Sequence, residues 1–422
     1  MAASGPRAGL SGLRAGARRF RLTRRGTAFV VAAVLCFAAA AALSAPALLY
    51  ATGLLLGLVL VGLAFVGWGH SKVVVDRSFS PQVVEPGQGI RARLTVANQS
   101  AAPCPEASWT DRLPRVVAGT ASGVLPALGP VGADDARIAA TYALSSGTRG
   151  HHEVGPLAIQ VVDPFGLVRR ARTFGGRHRL TVLPHRYPLD PIRPRGVGDD
   201  GSTRPAPQNV GLGEDDVIAR RYVAGDAMKR LHWKATAHRG ELMVRQEEQH
   251  LSPRASIVLD LDADSHGTAL HRGQWEHSPT LEWSVSAVAS VATHLAQAGF
   301  VVTLASHDGA VDVVIAEGQD SVRDAMIALA GVEASTGADV RPGAVERFVV
   351  LVTGRLDADR AQRWVRELAG DAGVHAIVSS ATREPVLDDL AAAGWSVATY
   401  GPRSDVPEVW SALDGSVSRA QG

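Results

Sequence analysis

The sequence predicts a three-part fold: an N-terminal two-helix transmembrane hairpin, an antiparallel β-sandwich, and a C-terminal α/β domain of Rossmann-like layering. Three observations carry it. No Asp, Glu, Lys or Arg occurs from Thr27 to Ser71. Apolar and polar residues then alternate with period two, with no long helical repeat, up to residue 190. After residue 255, short continuous apolar runs alternate with amphipathic stretches, the pattern of a parallel sheet covered on both faces. A chain of 422 residues exceeds one ordinary core. A content of 46% hydrophobic and 20% charged residues excludes a disordered chain. The formal net charge of +2 gives no chain-wide attraction for nucleic acid. Two cysteines, Cys36 and Cys104, cannot build a disulfide framework or a thiolate zinc site.

Residues 1–26 form a basic N-terminus. They carry Arg7, Arg14, Arg18, Arg19, Arg21, Arg24 and Arg25 and no acid. The hairpin occupies 27–70. Its uncharged run divides at Ser44-Ala45-Pro46, giving an Ala/Val-rich half, Thr27 to Leu43, and a Leu/Gly-rich half, Ala47 to Gly69. About 20 apolar residues as helix cross a bilayer core, so each half is one span. Pro46 stops the first helix, and Tyr50 and Trp68 suit interfacial positions. A cleaved leader is the alternative, but a second uncharged span follows at once. Arg residues precede the first span and Lys72 and Arg77 follow the second. Both flanks are therefore expected in the cytoplasm, with the lipid bilayer as the first partner.

Residues 71–190 are the expected sandwich. Strands are expected at Ile90 to Val96, Ala136 to Leu144 and Leu157 to Val162, with a turn at Asp163-Pro164-Phe165-Gly166-Leu167 anchored by a buried Phe165. His151 and His152 are adjacent on a strand, face opposite ways and are expected to be structural. Residues 191–254 hold a Pro/Gly-rich linker followed by the densest local signal in the chain. Gly225 and Asp226 read as a turn and N-cap, a short helix follows and ends near Gly240, and Leu242 and Val244 begin a strand.

The residues Arg220, Tyr222, Gly225, Asp226, Arg230, His232, Trp233, Lys234, Ala235, Ala237, Gly240, Glu241 and Leu242 stand at the spacing Arg-x-Tyr-x-x-Gly-Asp, Arg-x-His-Trp-Lys-Ala-x-Ala, Gly-Glu-Leu. This resembles the signature of the domain of unknown function 58 family. Ala227 departs from it, since the family commonly has a second Asp there. The resemblance extends to the three-part plan. It implies a von Willebrand factor A-like C-terminal domain, a bacterial plasma membrane protein with both termini cytoplasmic, and no assigned activity. It also implies partnership with a MoxR-type AAA+ ATPase and, in some members, a transglutaminase-like membrane protein. Two roles are open for the cations Arg230, His232, Lys234 and Arg239. They surround an anion or an acidic partner loop, or they join domains with Trp233 buried between them. Aromatic residues are too few here for nucleic-acid stacking.

Residues 255–420 form the α/β domain. Strands are expected at Ala255–Leu259, Phe300–Leu304, Phe348–Val352, Val374–Val378 and Trp395–Thr399, and helices at Thr280–Ala298, Ser321–Leu329 and Asp359–Leu368. The first strand ends in Asp260, Asp262, Asp264 and Ser265, where open α/β sheets bind ligands. Three readings compete. In a von Willebrand A domain this loop and a later threonine, here Thr353, would hold Mg²⁺. In a haloacid-dehalogenase-like phosphotransferase Asp260 would be the nucleophile and Asp262 the acid/base. In the plainest reading the acids cap a strand end and face solvent or the basic helix, where they could offset the cations of 229–239. No glycine-rich phosphate loop or nucleophile elbow occurs. The expectation is a non-enzymatic, membrane-tethered scaffold.

Overall fold

The computed structural model describes residues 19–68, 72–191, 218–221, 233–246, 253–271, 273–316, 318–337, 345–370 and 372–419. The chain falls into two compact units, residues 1–185 with 326–332, and residues 186–325 with 333–422. Of the family-like signature, Tyr222, Gly225, Asp226, Arg230 and His232 lie outside the described residues, as does the linker 192–217.

The first unit begins with a strand that the sequence does not advertise, β1 (Arg19–Leu22), which runs directly into helix α1 (Arg24–Ala42). Helix α2 (Ala47–Trp68) follows. Both are long and apolar enough to cross a membrane. Ser44 adopts φ 48° in the connection, with Pro46 beside it. Eleven strands complete the unit: β2 (Val73–Ser80), β3 (Val83–Val84), β4 (Ile90–Asn98), β5 (Ala107–Asp111), β6 (Val117–Gly119), β7 (Ser122–Leu125), β8 (Arg137–Ser146), β9 (Gly150–Val154), β10 (Leu157–Val162), β11 (Val168–Phe174) and β12 (His178–Val182). They form a five-stranded sheet β1-β11-β10-β5-β7, a four-stranded sheet β2-β4-β8-β6 and a three-stranded sheet β3-β12-β9. All pairings are antiparallel except β3 with β12.

Period-two sequence becomes alternating burial: β2 is buried at Val73, Val75, Arg77 and Phe79 and exposed between them. The inner faces share one core that includes Leu94, Trp109, Tyr142, Leu157, Ile159 and Leu180. One charged pair is sunk into it. Arg77 donates from Nε and Nη2 to the two oxygens of Asp111, each at 2.7 Å, and Tyr142 Oη donates to Asp111 Oδ2 at 2.5 Å. Burial, and then the Asp111 carboxylate, push the Tyr142 hydroxyl well above its ordinary pKa, so it stays a donor. His151 bonds Thr181 and His152 bonds the Thr148 carbonyl, in keeping with structural roles.

The hairpin is clasped at both ends by the sandwich. The Thr23 hydroxyl caps α1 by accepting from the Gly26 N–H, and donates to the Gly166 carbonyl at 2.6 Å. The Thr23 N–H donates to the Leu167 carbonyl at 2.9 Å. A Cβ on Gly26 would overlap that same carbonyl, so this close approach needs glycine. At the other end, Arg170 Nη1 donates to the Val66 and Gly67 carbonyls at 3.2 and 2.9 Å, satisfying acceptors that the end of α2 leaves open. Phe165 is 50% exposed, which corrects the expectation of a buried anchor; Asp163 and Leu167 are the buried side chains of that turn.

The second unit contains β13 (Ile218–Arg221), α3 (Trp233–Arg239), β14 (Met243–Gln246), β15 (Arg254–Leu259), a small ribbon β16 (Leu270–His271) and β17 (Gln274–Trp275), α4 (Pro279–Gln297), β18 (Val301–Ser306) and β19 (Asp312–Ile315). Helix α5 (Gln319–Ala330) follows β19, and its last five residues belong to the first unit. Then come β20 (Phe348–Thr353), α6 (Ala358–Glu367), β21 (Gly373–Ser379), α7 (Glu384–Ala392), β22 (Ser396–Tyr400) and α8 (Val406–Arg419). The main sheet has the order β19-β18-β15-β20-β21-β22. Its pairings are parallel except that of the edge strand β19. Fully buried runs such as β20, and large side chains such as Trp364 and Trp410, make its core. The chain leaves β15 toward β18 and leaves β20 toward β21 on the other side, so the connections diverge between β15 and β20. That places a crevice at the carboxyl ends of these two strands.

Candidate functional site

The crevice is built from four segments. β15 delivers Asp260, β18 delivers His307, β20 ends at Thr353, and the first turn of α6 supplies Arg360. Asp357 caps α6, accepting the Arg360 N–H at 2.7 Å. Residues 360, 361, 364 and 368 share the buried stripe of this helix, so Arg360 points into the sheet edge beside Ala361, Trp364 and Leu368.

Asp260 is completely buried. Arg360 Nη2 donates to its Oδ1 at 2.7 Å and Nε to its Oδ2 at 3.1 Å, a two-pronged pair. Thr353 Oγ1 donates to Oδ2 at 2.8 Å, and the Asp262 N–H to Oδ1 at 3.0 Å. Burial alone would raise the Asp260 pKa; the Arg360 guanidinium outweighs it and holds the carboxyl below its ordinary range. Arg360 is correspondingly raised: burial works against its charge, and Asp260 more than offsets that. His307 Nδ1 lies 3.4 Å from Asp260 Oδ1, but the same nitrogen accepts the Leu261 N–H at 2.9 Å. That nitrogen therefore presents a lone pair, and the contact is no ion pair. His266 Nε2 donates to the Asp260 carbonyl at 2.7 Å.

Asp262 turns its carboxylate on Ser265, accepting from both its N–H and its hydroxyl at 3.1 Å, with Arg360 Nη1 at 3.5 Å. Asp264 is exposed. The five expected ion ligands thus divide. Asp260, Asp262, Ser265 and Thr353 converge, whereas Asp264 stands on the outer rim. The centre they converge on holds the Arg360 guanidinium, which supplies the positive charge and the donors that a divalent ion would otherwise satisfy. Among the described residues no group of His, Cys, Asp and Glu side chains is placed to hold a metal. The donor set does not fit Mg²⁺ while Arg360 is present. The phosphotransferase reading meets a similar obstacle, because a carboxylate at 0% exposure with both oxygens bonded cannot reach a phosphorus atom. The counter-ion of Asp260 is Arg360, and most of the cations of 229–239 lie outside the described residues.

Outside this sealed pair lies a cleft of about 220 Å³, lined by Asp262, Asp264, Ser265, Arg355, Asp357 and Arg363 among others. Arg355 is exposed and Arg363 half-buried. Gly354, where a further acid would suit an ion site, is explained by packing: a Cβ there would overlap the Ser265 carbonyl. Gly354→Ala should therefore push the 260–265 loop off β20 and cost about 1–3 kcal/mol. Faster hydrogen exchange at residues 261–266, with the other strands unchanged, is the expected reading.

Of the signature, α3 ends before Gly240, which has φ +71°, and β14 pairs with β13. Trp233 is 69% exposed. Arg239 and Glu241 are exposed. Arg220 is placed only by its backbone, opposite Val244, and Lys234 only by its position in α3.

The histidine beneath the site gives a pH dependence. Burial lowers the His266 pKa below the ordinary imidazole value of 6.5, and its bond to the Asp260 carbonyl only partly opposes this. The unfolded chain then binds the proton first, so stability falls as pH drops below about 6.5. Asp260, held low, adds a loss in the same direction at more acid pH, as its own carboxyl is protonated. Comparing His266→Gln with the parent between pH 5 and 7.5 should flatten the upper part of the profile, by up to about 1.4 kcal/mol per pH unit. An unchanged slope would contradict it.

Comparison with known proteins adds no family. No family model matches the chain, and no curated protein does. Among solved structures, the CARDB domain of a Pyrococcus furiosus protein aligns at 15% identity with a TM-score of 0.19, covering 26% of this chain and 93% of that one. The alkylpurine DNA glycosylase AlkC of Pseudomonas fluorescens aligns at 16% and 0.18, covering 29% and 33%. The sporulation control protein Spo0M of Bacillus subtilis aligns at 14% and 0.16, covering 28% and 51%. At these scores the likenesses carry no argument about function.

Proposed function

We propose that the chain is a membrane-tethered scaffold akin to the domain of unknown function 58 family, with a von Willebrand A-like α/β domain that docks a protein partner at the carboxyl end of its sheet. The observation that carries this reading is the buried Asp260–Arg360 pair. It neutralises the acid that either a metal-dependent or a phosphoryl-transfer mechanism would need, and leaves Asp264, Arg355 and Arg363 at the rim as a surface for recognition. The partner class follows from the resemblance: a MoxR-type AAA+ ATPase, with a transglutaminase-like membrane protein as a further associate. Two uncharged spans flanked by arginines support a plasma membrane location with both termini cytoplasmic.

A photo-crosslinking residue at Asp264 or Arg363 in the full chain, irradiated in membranes, should join an AAA+ ATPase, and the same residue at Val124 should not. Labelling of neither rim position would count against the docking edge. A reporter fused after Gly422 that is active only outside the cell would overturn the topology.

A further inference from the structure

The base of the sandwich carries a surface that the scaffold reading leaves unused. Leu167 and Val168 are buried against Val59 and Val66 of α2, with Phe29, Val30, Leu58 and Leu63 packed around them. Gly62 lies against the Asp163 carboxylate. At a rise of 1.5 Å per residue, Val59 stands about 13 Å inside the end of α2 at Trp68, and Phe29 about 8 Å inside the start of α1. The helices have 19 and 22 residues, so nearly their whole length is needed to cross a bilayer. The 163–167 turn, whose Gly166 and Leu167 carbonyls Thr23 holds beside the start of α1, therefore stands at the level at which the helices enter the membrane.

Its chemistry agrees with that depth. Phe165 is 50% exposed, and Val162 and Leu22 are about as exposed, at 41% and 40%. The acid of the turn, Asp163, is buried and turns its oxygens on the Phe165 and Val168 N–H groups. Around this apolar tip stand cations in places that are unfavourable in water. Arg21 and Arg169 are directly opposite each other on β1 and β11, both exposed, and like charges so placed repel. Arg24 and Arg25 occupy the first turn of α1, the end where a helix disfavours positive charge. A layer of anionic headgroups would relieve both.

We propose that the base of the sandwich is itself a membrane-insertion surface, with Phe165 seated at the boundary of acyl chains and headgroups and Arg21 and Arg169 holding the phosphate of an anionic phospholipid. This rests on the membrane-spanning reading of α1 and α2, and the test separates the two. The full chain, with Cys36→Ser and Cys104→Ala, receives one spin label at Phe165→Cys, Leu54→Cys or Val124→Cys. It is reconstituted in phosphatidylcholine with and without phosphatidylglycerol. Residue 54 lies mid-hairpin, and residue 124 lies on β7, at the opposite edge of the sheet from β1. Collisions with oxygen should dominate at 54, collisions with an aqueous nickel chelate at 124, and position 165 should read on the lipid side between them. Phosphatidylglycerol should raise the parent's Tm by several degrees and leave Arg21→Gln/Arg169→Gln unmoved.

A label at 165 as open to nickel as at 124, with 54 still in lipid, overturns the insertion and spares the hairpin. Nickel access at 54 removes both. A label at 165 shielded from both reagents marks a protein contact with a second copy and overturns the proposal, as does a double variant that still gains from phosphatidylglycerol.

Discussion

Arg360→Ala is expected to destabilise the α/β unit by about 3–5 kcal/mol, because it leaves the fully buried Asp260 charge without its partner. Hydrogen exchange of β15, β20 and β21 amides in the full chain isolates that unit from the rest. Asp260→Asn should cost a similar amount by taking from Arg360 its two-pronged partner, with Asp262 at 3.5 Å the nearer of the acids left to answer it. The double variant Asp260→Asn/Arg360→Met removes both charges of the buried pair and should recover part of the loss, Asp262 keeping its bonds from Ser265. Mg²⁺ is the informative addition. With the guanidinium gone, Asp260, Asp262, Ser265 and Thr353 present hard oxygens to an emptied centre. Mg²⁺ should then stabilise Arg360→Ala by mass action while leaving the parent untouched. Equal stabilisation of both would mean that the ion binds elsewhere, and that Arg360 does not occupy its place.

In the sandwich, Asp111→Ala should be the most damaging single change, again by about 3–5 kcal/mol. It removes both bonds to Arg77, whose side chain has no solvent exposure, and the acceptor of Tyr142. Tyr142→Phe keeps the ion pair and deletes one bond to a charged acceptor, so about 1.5–3 kcal/mol is expected. Arg77→Met/Asp111→Leu, which fills similar volume without charge, should recover part of the Asp111→Ala loss, the Tyr142 hydroxyl still lacking its acceptor. Thermal unfolding in detergent, followed by near-ultraviolet dichroism of Trp109 and its neighbour Tyr142, reads the series. If the double variant is as damaged as Asp111→Ala, then the remaining bonds of Arg77, to Val154, Gly176 and His178, hold the core together.

Periodicity made the layers legible, and pairing partners escaped it. Ile90–Asn98 and Leu157–Val162 form where alternation places them, and the strands and helices of the α/β sheet lie within a few residues of their apolar runs. β1 was hidden because Arg19-Phe20-Arg21-Leu22 is too short to show a period and sits in a basic run that serves membrane topology equally well. The sequence marks Asp260 but not its counter-ion, because the two are joined by folding across 100 positions. A local clue existed all the same. An arginine in the first turn of a helix works against the helix dipole, and Arg360 also falls on the stripe of Ala361, Trp364 and Leu368. A cation at such a place implies a buried acid. Phe165 misled for the opposite reason: an aromatic residue in a turn suggests a core anchor, and here the neighbouring Leu167 takes that place.

The clasp on the hairpin also fixes an order of birth. Thr23 and Gly166 are separated by 143 positions. At a synthesis rate of 5–20 residues per second, α1 emerges roughly 7 to 30 s before the turn that will hold it. If α1 and α2 span a membrane as proposed, they enter the bilayer and settle against each other as an unclasped pair. The sandwich then closes over an anchor already in place, so a variant that slows β-sheet assembly should leave a protein that is inserted yet cleavable by protease between Arg19 and Arg25.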